Sequence, residues 1–177
     1  SVAFTDGSAK PNPGPCGAGV VLRKAGCRSR THVAMPLGFG DNNKGEMGAF
    51  FSLFSMMLTL VALGEVARGS ELLVFSDSAI CVGFLLEGWA FKTWIQLGEA
   101  TRGLFRKLRA LSRVSIYWIR GHTGIQGNED ADLEAGNGAA MAAVELDAAA
   151  GSGSVVSDYS GGATVTSYSH EVGVGTG

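Results

Sequence analysis

Short β-branched and aromatic runs open the chain at Val2-Ala-Phe-Thr5 and at Ala18-Gly-Val-Val-Leu-Arg23. They flank the turn-rich stretch Asp6-Gly-Ser-Ala-Lys-Pro-Asn-Pro-Gly-Pro15 and predict two strands joined by a long turn. A third strand is expected over residues 31–39, closed by a loop at Gly40-Asp-Asn-Asn43, so the chain begins as a three-stranded antiparallel meander. From Glu46 to Leu63 nearly every residue is apolar, including Phe50, Phe51, Leu53, Phe54, Met56, Met57 and Leu58. A membrane span competes here, but Ser52, Ser55 and Thr59 interrupt a run that falls short of the roughly 18–20 apolar residues a bilayer requires. A helix buried on nearly all sides of a globular core accounts for the same pattern.

Residues 71–76 (Glu-Leu-Leu-Val-Phe-Ser) read as a strand of a sheet covered on both faces, and a short helix is expected from Ser78. Residues 93–112 carry a helical period with two faces: Leu97, Leu104, Leu108 and Leu111 on one, Arg102, Arg106, Arg109 and Arg113 on the other. Val114 to Ile119 form a last strand, Gly121 to Gly127 a glycine-punctuated loop, and Asn128 caps a helix expected to reach about Ala143. The order βββαβααβα is that of an α/β layer fold. Beyond about Ala148 large residues become scarce, and residues 146–177 read as a Gly/Ser-rich flexible tail or linker after a domain spanning 1–145. An added hairpin through Val155, Val156, Tyr159, Val165 and Tyr168 is the alternative for this tail.

The net charge of -2 conceals an asymmetry. All 14 Lys and Arg lie at or before Arg120, and the stretch from Lys92 to Arg120 opposes seven of them to the single acid Glu99, a local excess suited to phosphates. The three cysteines, Cys16, Cys27 and Cys81, show neither zinc-type spacing nor a secretory leader ahead of them, so a reduced intracellular setting, cytoplasmic or nuclear, is expected. The chain begins at Ser1 rather than Met and enters a strand at once, which suggests a piece of a longer polypeptide.

Placed on this map, Asp6 ends the first strand, Glu46 opens the buried helix, Asp77 ends the central strand, and Asp130 or Asp132 begins the last helix. Carboxylates converging on one edge of a sheet offer the hard oxygen ligands that suit Mg²⁺ or Mn²⁺ and predict phosphoryl chemistry. Each acid alone also has an ordinary structural use, as turn residue, helix cap or dipole partner. The joint pattern carries the functional reading.

In sequence order, that pattern is Phe4-Thr-Asp-Gly-Ser8 with Asn12-Pro-Gly-Pro15, then Asn42-Asn-Lys-Gly-Glu46, Phe75-Ser-Asp-Ser78, Trp118-Ile-Arg-Gly-His122, and Gly127-Asn-Glu-Asp-Ala-Asp132 with Ala135. Over residues 2 to about 143 the chain resembles the ribonuclease H type 1 family. The resemblance implies the RNase H-like fold, a mixed five-stranded sheet with helices on both faces. It implies Asp6, Glu46, Asp77 and Asp132 as ligands of two Mg²⁺ ions, with Mn²⁺ as a substitute. It prefers Asp132 to Asp130 from the spacing to Asn128-Glu129 and Ala135. It further implies hydrolysis of the RNA strand of an RNA·DNA hybrid to 5′-phosphate and 3′-hydroxyl ends, with His122 assisting proton transfer or product release.

The same resemblance places Ser8, Asn12, Gly14 and Asn43 along the minor groove, where 2′-hydroxyls distinguish RNA from DNA. The stripe of Arg102, Arg106 and Arg109 would then hold phosphates of the DNA strand. A retroelement polyprotein is one expected setting, with a reverse transcriptase or another domain of the same polypeptide as partner and no membrane. Three departures stand out. The family's basic protrusion is replaced by Glu87-Gly-Trp-Ala-Phe-Lys-Thr-Trp94, Ala79 stands where many members carry Gln, and Gly45 and Gly48 flank Glu46 and are expected to loosen the helix start. Competing readings are a non-catalytic RNase H-like binding or structural module and another nuclease of the same superfold.

Overall fold

The computed structural model describes residues 1–152 and 164–168. Strands β1 (Val2–Ala9), β2 (Gly14–Arg23) and β3 (Arg30–Gly40) form the expected meander. The predicted turn at 6–15 contracts to residues 10–13, because β1 and β2 pair continuously from Val2↔Arg23 to Ala9↔Cys16. Glycines along β2 admit close neighbours. A Cβ on Gly19 would collide with the backbone of Ala131 and Ala135, and one on Gly17 with that of Gly138 and Ala139.

Helix α1 (Asn42–Ala62) starts earlier than expected, since the Asp41 side chain accepts from Lys44 N at 2.8 Å and caps it. The segment 40–43 is therefore a cap and first turn rather than a loop, and Glu46 lies one turn inside the helix instead of opening it. By length and composition α1 could cross a membrane, yet Met47, Phe50, Leu53, Phe54 and Met57 are all buried in the core. The Phe54 ring stacks on Phe105 of α3 (Ile95–Arg109) with centroids 5.3 Å apart.

After α1 come β4 (Glu71–Ser76), α2 (Ala79–Glu87), α3, β5 (Arg113–Trp118) and α4 (Gln126–Ser152), in the predicted order. β4 joins β1 in parallel and β5 joins β4 in parallel, giving the order β5-β4-β1-β2-β3. The sheet is thus mixed, as expected. Ala18, Val20 and Leu22 enter the core shared with α1, while Gly17 and Gly19, alternating with them, meet α4 on the opposite face.

Two features differ from expectation at the C-terminal side. α4 runs to Ser152, past the expected end near 143 and through the expected boundary at 145, because residues 138–150 are dominated by alanine and other strong helix formers. A sixth strand, β6 (Thr164–Tyr168), pairs antiparallel with β3 from Ala34↔Thr164 to Arg30↔Tyr168. Its backbone supplies ladder partners to the edge of β3. The remaining tail positions, including Val155, Val156 and Tyr159, lie outside the described residues.

Candidate active site

Strand β1 brings Asp6 opposite Gly19, and β4 delivers Asp77 just past its last residue. Glu46 reaches the same point because α1 lies directly on β1. A Cβ on Gly7 would overlap the backbone of Gly45 and Glu46, and one on Gly45 would stand 2.8 Å from Ser8 N and 2.9 Å from Gly7 Cα. Gly45 therefore does not loosen the helix start; it permits the approach that puts Glu46 beside Asp6. Gly48 differs, since its added Cβ would meet only the flexible Leu37 side chain.

One carboxylate oxygen from each of Asp6, Glu46 and Asp77 falls within a span of 4.8 Å. Burial pushes the Asp6 carboxyl up to about 7, helped by the neighbouring Asp77 charge. Glu46 is raised well above the ordinary carboxylate range by burial first and by the charge of Asp6 second. A hydrogen bond between the two carboxyls opposes the shift at Asp6 and adds to it at Glu46. Glu46 Oε2 is buried and has no hydrogen-bond partner, while Asp6 Oδ1 accepts from Gly7 N at 2.8 Å. Three clustered carboxylates, of which Asp6 and Glu46 are disfavoured as anions and Glu46 has an orphaned acceptor, fit a divalent cation, which would offset the electrostatic penalty.

The first turns of α4 place Asp132 beside this cluster rather than within it. Its charge is close enough to raise the affinity of Asp6 for its proton, and it groups with His122 and Glu129, whose ligand atoms also lie within 4.8 Å of one another. Asp130 turns elsewhere. Its Oδ2 accepts from Arg30 Nη1 at 3.0 Å and its Oδ1 from Gln126 Nε2 at 2.7 Å, so it clasps α4 to β3. The geometry thus separates the two aspartates that the sequence left open. His122 is exposed at the head of its loop, in the left-handed backbone region at φ 55°. Asn128 was expected to cap α4; the helix instead starts at Gln126 and Asn128 is buried in its first turn, with Nδ2 3.4 Å from Asp77 Oδ2.

The groove residues gather where the β1–β2 turn meets the start of α1. Asn12 is exposed and its Oδ1 accepts from Asn42 N at 3.2 Å, Asn42 Oδ1 accepts from Ala9 N at 2.8 Å, Ser8 and Gly14 are buried, and Asn43 is half-buried. The arginine stripe divides. Arg102 stacks on the Phe84 ring at 3.8 Å and donates to Glu99 Oε1, whereas Arg106 and Arg109 are exposed. Sequence reasoning assigned no site role to Glu129, Asn128 or Asn42, although all three lie in the motifs it quoted. The signal available was their position one to four residues from a candidate ligand.

A family model described as RNase H matches residues 1–140. The ribonuclease H of Acidovorax sp. (strain JS42) is 32% identical over 148 residues, covering 77% of this chain and 93% of that protein. That of Alkalilimnicola ehrlichii (strain ATCC BAA-1101 / DSM 17681 / MLHE-1) is 32% identical over 145 residues, covering 77% and 92%. Among solved structures, the N-terminal RNase H domain of a Mycobacterium tuberculosis protein superposes with a TM-score of 0.64 at 24% identity, covering 82% of this chain and 96% of that one. LC11-RNase H1, solved in complex with an RNA/DNA hybrid, gives 0.61 at 21% identity, covering 80% and 98%. At these identities the two structures bear on the fold. The relatives named here are bacterial ribonucleases H, which lends no support to a retroelement origin or a reverse-transcriptase partner.

Proposed function

The chain belongs to the ribonuclease H family and is a ribonuclease H, and from that premise we propose that it hydrolyses the RNA strand of RNA·DNA hybrids with divalent cations held by Asp6, Glu46, Asp77 and Asp132. The observation that carries this reading is the convergence of three carboxylates within 4.8 Å, with Glu46 Oε2 buried and unpartnered. Mg²⁺ is the proposed cation, two ions the proposed number, and Mn²⁺ the expected substitute. When bound, such ions supply Lewis acidity and a water of lowered pKa at a phosphodiester.

The residues of the chain set the conditions for that chemistry. Because burial raises both Asp6 and Glu46, a cation they held would displace protons from them, and its binding would strengthen as pH rises. Asp132 enlarges the negative field from the α4 side, and Asp77 is fixed by the end of β4. His122, exposed with a ring nitrogen within 4.8 Å of carboxylate oxygens of Glu129 and Asp132, is proposed to exchange protons with the departing strand. Water attack then leaves 5′-phosphate and 3′-hydroxyl ends. Ser8, Asn12, Gly14 and Asn43 are proposed to read the RNA strand by its 2′-hydroxyls, and Arg106 and Arg109, with Arg102 as their packed neighbour, to hold phosphates of the DNA strand.

The test is cleavage of labelled RNA·DNA hybrid, double-stranded RNA and double-stranded DNA of one sequence, with Mg²⁺, Mn²⁺ or EDTA, beside Asp77→Asn. Metal-dependent cutting of the hybrid alone, lost in the variant, supports the proposal. Binding without cutting under every metal condition favours a non-catalytic module, and cutting of duplex DNA favours another nuclease of the superfold.

A further inference from the structure

Asp77 is enclosed on three sides by elements that arrive from different parts of the chain. Its backbone carbonyl accepts from Trp118 Nε1 at 2.9 Å, and β4 and β5 are locked in register there by Ser76↔Trp118 and by Ile119 N donating to Ser76 O at 2.9 Å. Gly121 passes so close that a Cβ would collide with Asp77 Oδ2. The third side is Asn128, 2% exposed, whose Nδ2 stands 3.4 Å from that same Oδ2.

The other end of the Asn128 amide is informative. Its Oδ1 is buried without a hydrogen-bond donor against it. Burying an amide acceptor unpaired is unfavourable, and an apolar side chain of the same size avoids that penalty. A flipped amide would set Oδ1 against a carboxylate oxygen, so contact with Asp77 fixes the orientation.

We infer that Asn128 is a positioning residue, which holds Oδ2 of Asp77 and thereby directs the carboxylate toward Asp6 and Glu46. It acts on the cation through Asp77, as partners of ligating groups do in metal sites, where their loss weakens binding by about 10–100-fold. The inference rests on the cation-binding reading of the acid cluster, and its test separates the two. Mn²⁺ affinity is measured by electron paramagnetic resonance titration, together with the metal-free melting temperature, for the parent chain, Asn128→Leu and Asn128→Ser.

A parent chain that fails to bind Mn²⁺ overturns the reading of the cluster itself. With a binding parent, Asn128→Leu is expected to raise the Mn²⁺ dissociation constant about tenfold while its metal-free melting temperature stays level or rises. Asn128→Ser, which withdraws the amide without adding apolar bulk, is expected to weaken Mn²⁺ in the same direction and covers the case in which the leucine variant does not fold. Dissociation constants within twofold of the parent in the folded variants overturn the inference. So does a weakening matched by a fall in the melting temperature of both variants, since Asn128 would then be structural.

Discussion

Gly7 of β1 and Gly45 of α1 meet backbone to backbone, with no room for a Cβ on either. This contact brings Glu46 to Asp6. Gly45→Ala is expected to destabilise the fold by about 1–3 kcal/mol, the range for overpacking a close contact, and to lower cleavage by moving Glu46 away. Gly103→Ala in α3 is the contrast, because a Cβ there meets nothing within 4 Å; it should stabilise by about 0.5–1 kcal/mol. Denaturant melts of the two variants check the opposite signs.

The contrast also marks what the sequence could and could not disclose. Hydrophobic periodicity and turn chemistry were enough for the meander, the buried helix and the parallel strands, and the acids stood out at element ends. Gly7 was misread as a turn residue and Gly45 as a helix-loosening one, because the reason for each is a neighbour distant in sequence that approaches too closely for a side chain. The extension of α4 and the pairing of Thr164–Tyr168 with β3 likewise depend on context beyond a local window. The motif spacing already preferred Asp132 to Asp130, and the engagement of Asp130 by Arg30 and Gln126 adds a structural use for it that no local window discloses.

Asp130→Asn removes one partner of a partly exposed ion pair and is expected to reduce stability by no more than about 1 kcal/mol while cleavage stays near the parent rate. Asp132→Asn is expected to reduce the cleavage rate by about 100-fold or more, the scale on which loss of one electrostatic partner at a reacting group is felt. Steady-state rates on one hybrid substrate compare the two. The reverse ranking would return the assignment to Asp130.

The raised carboxyls make metal-free stability depend on pH in a defined direction. Asp6 is raised from 3.8 to about 7 in the fold, so between those values the native chain binds more protons than the unfolded one. Its contribution therefore favours the fold at acidic pH and is lost as pH rises through that window; Glu46, shifted in the same sense, adds to it. In EDTA, the Asp6→Asn chain should lose less stability than the parent between pH 5 and 8. Saturating Mg²⁺ should raise the parent's melting temperature more at pH 8 than at pH 5. Thermal melts across pH, with and without metal, check both differences.

Arg106 and Arg109 are exposed on α3 and should act as phosphate contacts rather than sequence readers. The double substitution Arg106→Ala with Arg109→Ala is expected to weaken hybrid binding and to flatten the salt dependence of log K by about 1.8, or about 0.9 per lost contact. Binding isotherms at several salt concentrations, made with Ca²⁺ or with the Asp77→Asn chain to prevent cutting, read the slope.

The chemical nature of the cut ends tests the central claim most directly. A hybrid with a radiolabelled RNA strand is incubated with the chain and Mg²⁺, and the new termini are identified. The account predicts 5′-phosphate and 3′-hydroxyl ends formed only with a divalent cation, because a cation held by the acid cluster would ready water as the nucleophile. Ends carrying a 2′,3′-cyclic phosphate, or cutting that persists in EDTA, would mean that the ribose 2′-hydroxyl attacks without the cluster's cation, and would contradict it.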